Sequence, residues 1–289
     1  MVNIKTFLKK LLSPEIRRQL KVYRRRIINN FKRKSSQKNS IEDMQQILNG
    51  LGIHAGDKII VSSSFGNLNA GFSPQELIEL LKKIITSEGL IVMPYYPPIN
   101  SYEWAERGEV FDMLKTKSGM GILTNVFARS KDVFMSIHPT KAVCAWGKNA
   151  KEFVEGHENS TTPFYWDSPY GKLMKFEESK SLCLGLKNIP IFHMFEDVLS
   201  SSYDEYYQKD KKPLSVRNAN DEIINVLTYV HNPDIIDNTI PAGDYVRDLN
   251  PKSYKRVSWG FKYIVVVENH CLLDAVDAEF KKGHTRIKK

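Results

Sequence analysis

The chain has 289 residues, 42% apolar and 26% charged, a soluble globular composition with length for one large α/β domain or two small ones. Its three cysteines (Cys144, Cys183 and Cys271) are an odd number without paired spacing, which argues against a disulfide framework or a zinc site and fits a reducing cytoplasm. The formal charge of +9 is lopsided: residues 1–40 carry thirteen Lys or Arg against the single acid Glu15, leaving the other 249 residues at about −3. A nucleic-acid-binding domain, whose basic stripe would cross the folded surface, is therefore not indicated.

Residues 1–40 read as a basic helical N-terminal extension and linker. Phe7, Leu8, Leu11 and Leu12 form a helical apolar stripe, continued beyond Pro14 by Leu20, Ile27 and Phe31, with Lys9, Lys10, Arg17, Arg18 and Arg24-Arg25-Arg26 between them. Such a helix can lie on an anionic membrane through residues 1–34, each basic side chain adding about 1 kcal/mol, or it can dock with a solvated basic face. No apolar run approaches the roughly 18–20 residues of a membrane span, and the N-terminus lacks a signal-peptide pattern. A cytoplasmic protein, peripheral on the membrane at most, is expected.

Residues 41–289 read as one α/β domain. Ser40 is placed to cap a helix over 41–51, with Glu42-Asp43 in its first turn. A strand follows over 57–61 and ends in Ser62-Ser63-Ser64. Ser73-Pro74 opens a helix whose stripe is Leu77, Leu80, Leu81, Ile84 and Ile85, and residues 89–94 form a second buried strand. Strand, helix and strand in this order make a βαβ crossover, the unit of a largely parallel sheet. Further on, the pattern predicts helices over 120–127, 150–155 and 188–200, and strands over 142–146, 181–186, 222–229 and 263–268. A surface hairpin or loop is expected around Pro213, and a frayed basic tail from Lys281.

Several residues carry chemistry. Ser62, Ser63 and Ser64 fall where a parallel strand ends, the edge at which open α/β sheets hold ligands, although a bare polar turn fits as well. No Gly-rich phosphate loop, dinucleotide fingerprint, Gly-x-Ser-x-Gly elbow or His-Glu-x-x-His set occurs, so nucleotide-cofactor, serine-hydrolase and metal chemistry are not indicated. His193 and Glu196 share one helix face at i and i+3. An imidazole can take a proton near neutral pH, and a carboxylate that orients it makes it a better base. Glu196, Asp197, Asp234 and Asp237 are the acids within reach. A lone histidine on an apolar face can equally be a satisfied core residue. His138, forced into extended backbone by Pro139, can simply bond locally. His54, His157, His231, His270 and His284 show no cluster spacing.

The motifs also form an ordered set: Val61-Ser62-Ser63-Ser64, Gly89-Leu90-Ile91-Val92-Met93-Pro94, Ser118-Gly119-Met120-Gly121, His138-Pro139, Thr162-Pro163-Phe164, Ser168-Pro169-Tyr170-Gly171, Leu184-Gly185 and His193-x-x-Glu196. Over roughly residues 40–200 this set resembles the aminoglycoside 3-N-acetyltransferase family. The resemblance implies a three-layer α/β/α fold around a mixed, largely parallel sheet, with acetyl-CoA as donor. It also implies direct transfer to a sugar amine with His193 as general base. Ser62, Ser63, Ser64, Ser118, Met120 and Gly121 would then line the coenzyme channel, and His138 and Tyr170 would meet the acceptor. The family's orienting acids lie downstream, where Asn232-Pro233-Asp234-Ile235-Ile236-Asp237 is the nearest match, so Asp234 or Asp237 would hold His193. The stretch 201–259 departs from the family pattern. Its bases Lys209, Lys211, Lys212, Arg217 and Arg247 point to the phosphates of a nucleotide-linked amino sugar, as used in surface polysaccharide synthesis. An aminoglycoside antibiotic is the alternative acceptor, and a non-catalytic membrane-recruited protein of the same fold is the alternative from another class.

Overall fold

Serine caps start the first two helices of the body. Ser40 accepts the Asp43 amide (3.1 Å) and Ser73 the Glu76 amide (3.2 Å), and each acid returns a bond to its cap, so two capping boxes begin Ile41–Gly50 and Pro74–Ile85. The computed structural model describes residues 37–202 and 205–287. The basic stretch 1–34, with its membrane-surface reading, lies outside them. Among the described residues no helix is long and apolar enough to cross a membrane.

Among the described residues ten strands form two sheets: β1 (Lys58–Ser63), β2 (Leu90–Tyr95), β3 (Phe111–Asp112), β4 (Phe134–Met135), β5 (Ala142–Gly147), β6 (Lys180–Leu184), β7 (Lys212–Arg217), β8 (Ile223–Thr228), β9 (Lys255–Trp259) and β10 (Lys262–Glu268). Seven make the main sheet in the order β4-β5-β2-β1-β6-β10-β9. It is mixed, with β2, β1 and β6 parallel at its centre and antiparallel pairs on both flanks. The Pro74–Ile85 helix is the expected crossover between β1 and β2.

Because side chains alternate along a strand, the sheet feeds two cores. Ile59 and Val61 pack on one face with the helices Ile41–Gly50, Pro74–Ile85 and Ile122–Phe127. Ile60 packs on the other with Phe153, Tyr170, Phe192, Phe195, Val246 and Leu272, carried by five further helices. This is the three-layer α/β/α arrangement. The second sheet, β3-β7-β8, contains the strand expected over 222–229, paired with β7 in a hairpin.

Three local expectations change. The helix over 188–200 begins only at Phe192, because Pro190 holds the residue before it out of helical geometry. The helix over 120–127 begins at Ile122, because Gly121 sits at φ +100°. The tail is not frayed as far as Ile287: Asn269–Phe280 is a helix with Leu272 and Val276 buried, and Arg286 is 4% exposed. Ile240 N–H donates to Arg286 O (2.8 Å), and Thr239 bridges Ile287.

One glycine fixes the serine turn. Gly185 follows β6 at φ +71°, and a Cβ there would stand 2.8 Å from Ser64 O. Gly185→Ala should therefore cost about 1–3 kcal/mol in urea unfolding. Gly50→Ala, with nothing within 4 Å of the added methyl, should stay within about 0.5 kcal/mol of wild type.

Candidate active site

The parallel strands β1, β2 and β6 end at one edge of the sheet, and a cleft of about 180 Å³ opens there. Its walls include Ser62, Ser63, Tyr96, Gly119, Met120, Asn188 and His193.

The three serines separate by role. Ser62 Oγ donates to Asn188 O (2.8 Å). Ser63 Oγ is buried, lines the cleft and has no hydrogen-bond partner among the described residues. Ser64 is not in the cleft wall: its Oγ accepts from the Asn67 side chain (2.9 Å) and closes the turn. Ser118 likewise stands behind the wall, donating to Tyr96 O (3.0 Å) and accepting from Met120 N–H (3.0 Å). It thereby shapes the loop that presents Gly119 and Met120. A side chain at Gly119 would stand 2.8 Å from Pro98 Cα, so the loop needs hydrogen there.

His193 is about a quarter exposed in the cleft. Its Nδ1 lies 2.8 Å from Glu196 Oε2. A carboxylate can only accept, so Nδ1 carries the proton and Nε2 keeps a free lone pair with no partner among the described residues. The carboxylate bonded to His193 Nδ1 is thus Glu196, where Asp234 or Asp237 was expected. Asp234 is exposed, on the short helix Pro233–Asp237 that also carries Asp237. Glu196 is itself held by Arg286, whose Nε (2.9 Å) and Nη2 (2.5 Å) donate to Oε1 while Nη1 donates to Ile240 O (2.7 Å). Burial pushes the His193 pKa below its ordinary value, against the opposing pull of Glu196. Burial alone would raise Glu196, but the bond to His193 and the charge of Arg286 outweigh it and hold the carboxyl below its usual range.

The neighbouring acid has the opposite fate. Asp197 is 4% exposed and is bonded by Thr162 Oγ1 and by the Tyr207 hydroxyl (2.9 Å). Burial pushes its pKa up to about 8, the hydrogen bonds opposing.

His138 and Tyr170, expected to meet the acceptor, are both buried at 1% exposure. His138 Nδ1 accepts the amides of Thr140 (3.2 Å) and Lys141 (3.0 Å), which leaves Nε2–H to donate to Thr228 Oγ1 (3.1 Å). The Tyr170 hydroxyl shares a bond with Tyr96 (2.8 Å) and reaches Lys141 O (3.3 Å). Both therefore brace the site from behind. His157 is also closed, with Nδ1 at Ser136 Oγ (2.9 Å) and Nε2 at Pro163 O (2.9 Å).

Sequence reasoning missed four neighbours of His193. Arg286 lies 90 residues from Glu196 and carries no local signal. His231, set aside for want of cluster spacing, has its ring 5.4 Å from that of His193 and stacks on Tyr207 at 4.9 Å. Phe164 stands 5.1 Å from the His193 ring, and Lys141 lies over the rings of Tyr96 and Phe164. The signal for Phe164 was the Thr162-Pro163-Phe164 motif itself: Thr162 bonds Asp197, Pro163 accepts from His157, and Phe164 walls His193. Among the described residues no three His, Cys, Asp or Glu side chains are placed to hold a metal ion.

The three-layer α/β/α body thus presents an open imidazole, backed by a paired carboxylate, at the ligand edge of the sheet. The chain belongs to the aminoglycoside 3-N-acetyltransferase family, whose model matches residues 60–280. It is 28% identical over 181 residues to the SPbeta prophage-derived aminoglycoside N(3')-acetyltransferase-like protein YokD of Bacillus subtilis (strain 168). That match covers 54% of this chain and spans 64% of the relative's length. The crystal structure of YokD superposes with a TM-score of 0.66 at 19% identity, over 86% of this chain and 95% of that one. AAC-IIIb in binary complex with CoASH gives 0.66 at 17% identity, over 88% and 100% of the two chains. Sisomicin-bound AAC-VIa gives 0.69 at 16% identity, over 86% and 100%. These structures share the fold.

The raised Asp197 pKa sets a sign for stability against pH. The protonated form is favoured in the folded chain, so its contribution is complete below about pH 4 and is lost as pH rises toward about 8. Asp197→Asn cannot ionise, so its melting temperature should gain on wild type between pH 5 and pH 8.5. Parallel melting curves across that range would show that Asp197 titrates normally.

Proposed function

We propose that this chain transfers the acetyl group of acetyl-CoA directly to the amine of an amino sugar, with His193 as general base. The observation that carries this reading is the asymmetry of His193: Nδ1 is held by Glu196, while Nε2 is open at the cleft. The donor supplies an acetyl group already activated as a thioester. The cleft suits it, because the buried Ser63 Oγ lacks a partner among the described residues and Gly119 and Met120 line the same cleft. His193 Nε2 takes the proton that the amine must lose. The imidazolium so formed is stabilised through Nδ1–H by Glu196, which Arg286 keeps ionised and in place. Phe164 shields the ring from water on one side.

Family membership makes an aminoglycoside-type amine the first acceptor to test. Four of the five bases that suggested a nucleotide-linked amino sugar are engaged within the protein. Lys212 pairs with Glu106, Arg217 with Asp112 and Asp221, Arg247 with Asp244 and Asp248, and Lys211 covers Tyr229.

Thiol release from acetyl-CoA over a panel of aminoglycosides and amino sugars tests the reaction. His193→Gln should lower turnover about 10²–10⁴-fold, with the thermal shift given by acetyl-CoA unchanged. Glu196→Gln should follow it, and Asp234→Asn should stay near wild type. Since burial lowers the His193 pKa, the acid limb of kcat/KM should fall below pH 6.5. Normal turnover by a folded His193→Gln variant would place the base elsewhere.

A further inference from the structure

Lys141 is a cation that the proposed transfer does not use. It stands just before β5, at the same edge of the sheet as the cleft. Its backbone is fixed on both sides: its N–H donates to His138 Nδ1 (3.0 Å), and its carbonyl accepts the Tyr170 hydroxyl (3.3 Å). The side chain is partly buried, with Nζ 4.7 Å from the centre of the Tyr96 ring and 5.9 Å from that of Phe164. Tyr96 walls the cleft and Phe164 packs on His193. The ammonium thus sits behind the cleft wall, between Tyr96 and the ring that packs on His193.

No carboxylate among the described residues pairs with it, and desolvation is the cause that acts on it, bringing its pKa to about 8, so it stays charged at neutral pH. The acids that could have balanced it are committed elsewhere. Glu196 is neutralised by Arg286, and Asp197 is enclosed by Thr162 and Tyr207. His231, beside His193, is stacked on Tyr207, and burial holds it well below its ordinary pKa, so it stays neutral and cannot balance the ammonium. The two aromatic faces offset only part of the cost of a desolvated cation. A polycationic acceptor would place like charge against this side of the base, whereas an oxyanion would supply the missing partner.

We infer that Lys141 anchors an acceptor subsite for an acidic substituent, a phosphate or a carboxylate, on the amino sugar whose amine faces His193. This rests on the reading of His193 as the base and turns the charge preference of the acceptor away from polycations. Phosphate and carboxylate share the oxyanion chemistry that Lys141 meets, and the choice of probes separates them.

The test is calorimetric binding to the full chain saturated with CoA, using glucosamine 6-phosphate, muramic acid, glucosamine and kanamycin, with turnover measured alongside. Wild type should bind at least one acidic sugar tenfold or more tightly than glucosamine, and the tighter of the two names the group. Lys141→Arg should keep that preference, Lys141→Met should erase it, and Lys141→Glu should reverse it toward kanamycin. Equal binding of glucosamine and both acidic sugars by wild type overturns the inference, even if no variant folds. So does a preference that survives in folded Lys141→Met and Lys141→Glu. Binding preference without turnover of any amine would strike at the acetyltransfer reading alone, and turnover of kanamycin with no acidic preference would strike at the subsite alone.

Discussion

The buried chain Arg286–Glu196–His193 is the contact on which the rest of the site depends. A carboxylate removed from water is costly unless it is paired and hydrogen-bonded. Glu196, at 1% exposure, has both oxygens used, Oε1 by the guanidinium and Oε2 by the imidazole. Arg286 in turn spends Nη1 on Ile240 O and lays its guanidinium over the Phe192 ring at 5.0 Å. One ion pair therefore ties the last described strand-like bridge of the chain to the helix that presents His193. Removing Arg286 would leave a buried, uncompensated charge next to the imidazole.

Glu196 and Asp197 are consecutive on one buried helix, and two adjacent ionised carboxylates there would repel. The structure resolves the conflict by giving the only guanidinium in contact with this pair, among the described residues, to Glu196. Asp197 receives hydroxyls instead, from Thr162 and Tyr207. The division matters for chemistry, since the carboxylate kept charged is the one that touches His193. It also explains why Thr162 and Phe164 occur together: one satisfies the second acid while the other walls the imidazole.

The histidines around the cleft divide between rings engaged at both nitrogens and one ring left open. His138 and His157 have both ring nitrogens engaged within the protein, and their rings lie 4.5 Å apart behind the cleft. Burial lowers both well away from protonation at neutral pH. His193 has one nitrogen engaged and one open. The difference is one of partners, and identity or spacing along the chain does not reveal it.

The sequence by itself determined the parts that rest on local chemistry. Serine caps at Ser40 and Ser73, the apolar runs of β1 and β2, and the crossover between them specified the centre of the sheet and the edge at which the serines end. The i, i+3 spacing of His193 and Glu196 placed both on one helix face, since helical geometry is set within a single turn. Tertiary structure decided what distant groups supply. It selected Glu196 over Asp234 as the partner of His193, because Arg286 arrives from the far end of the chain to hold it. It turned Ser64 and Ser118 away from the cleft, left Ser63 without a partner among the described residues, and brought His231 and Lys141 near His193. Burial and pairing are properties of the packed whole, and nothing within a few residues of these side chains encodes them.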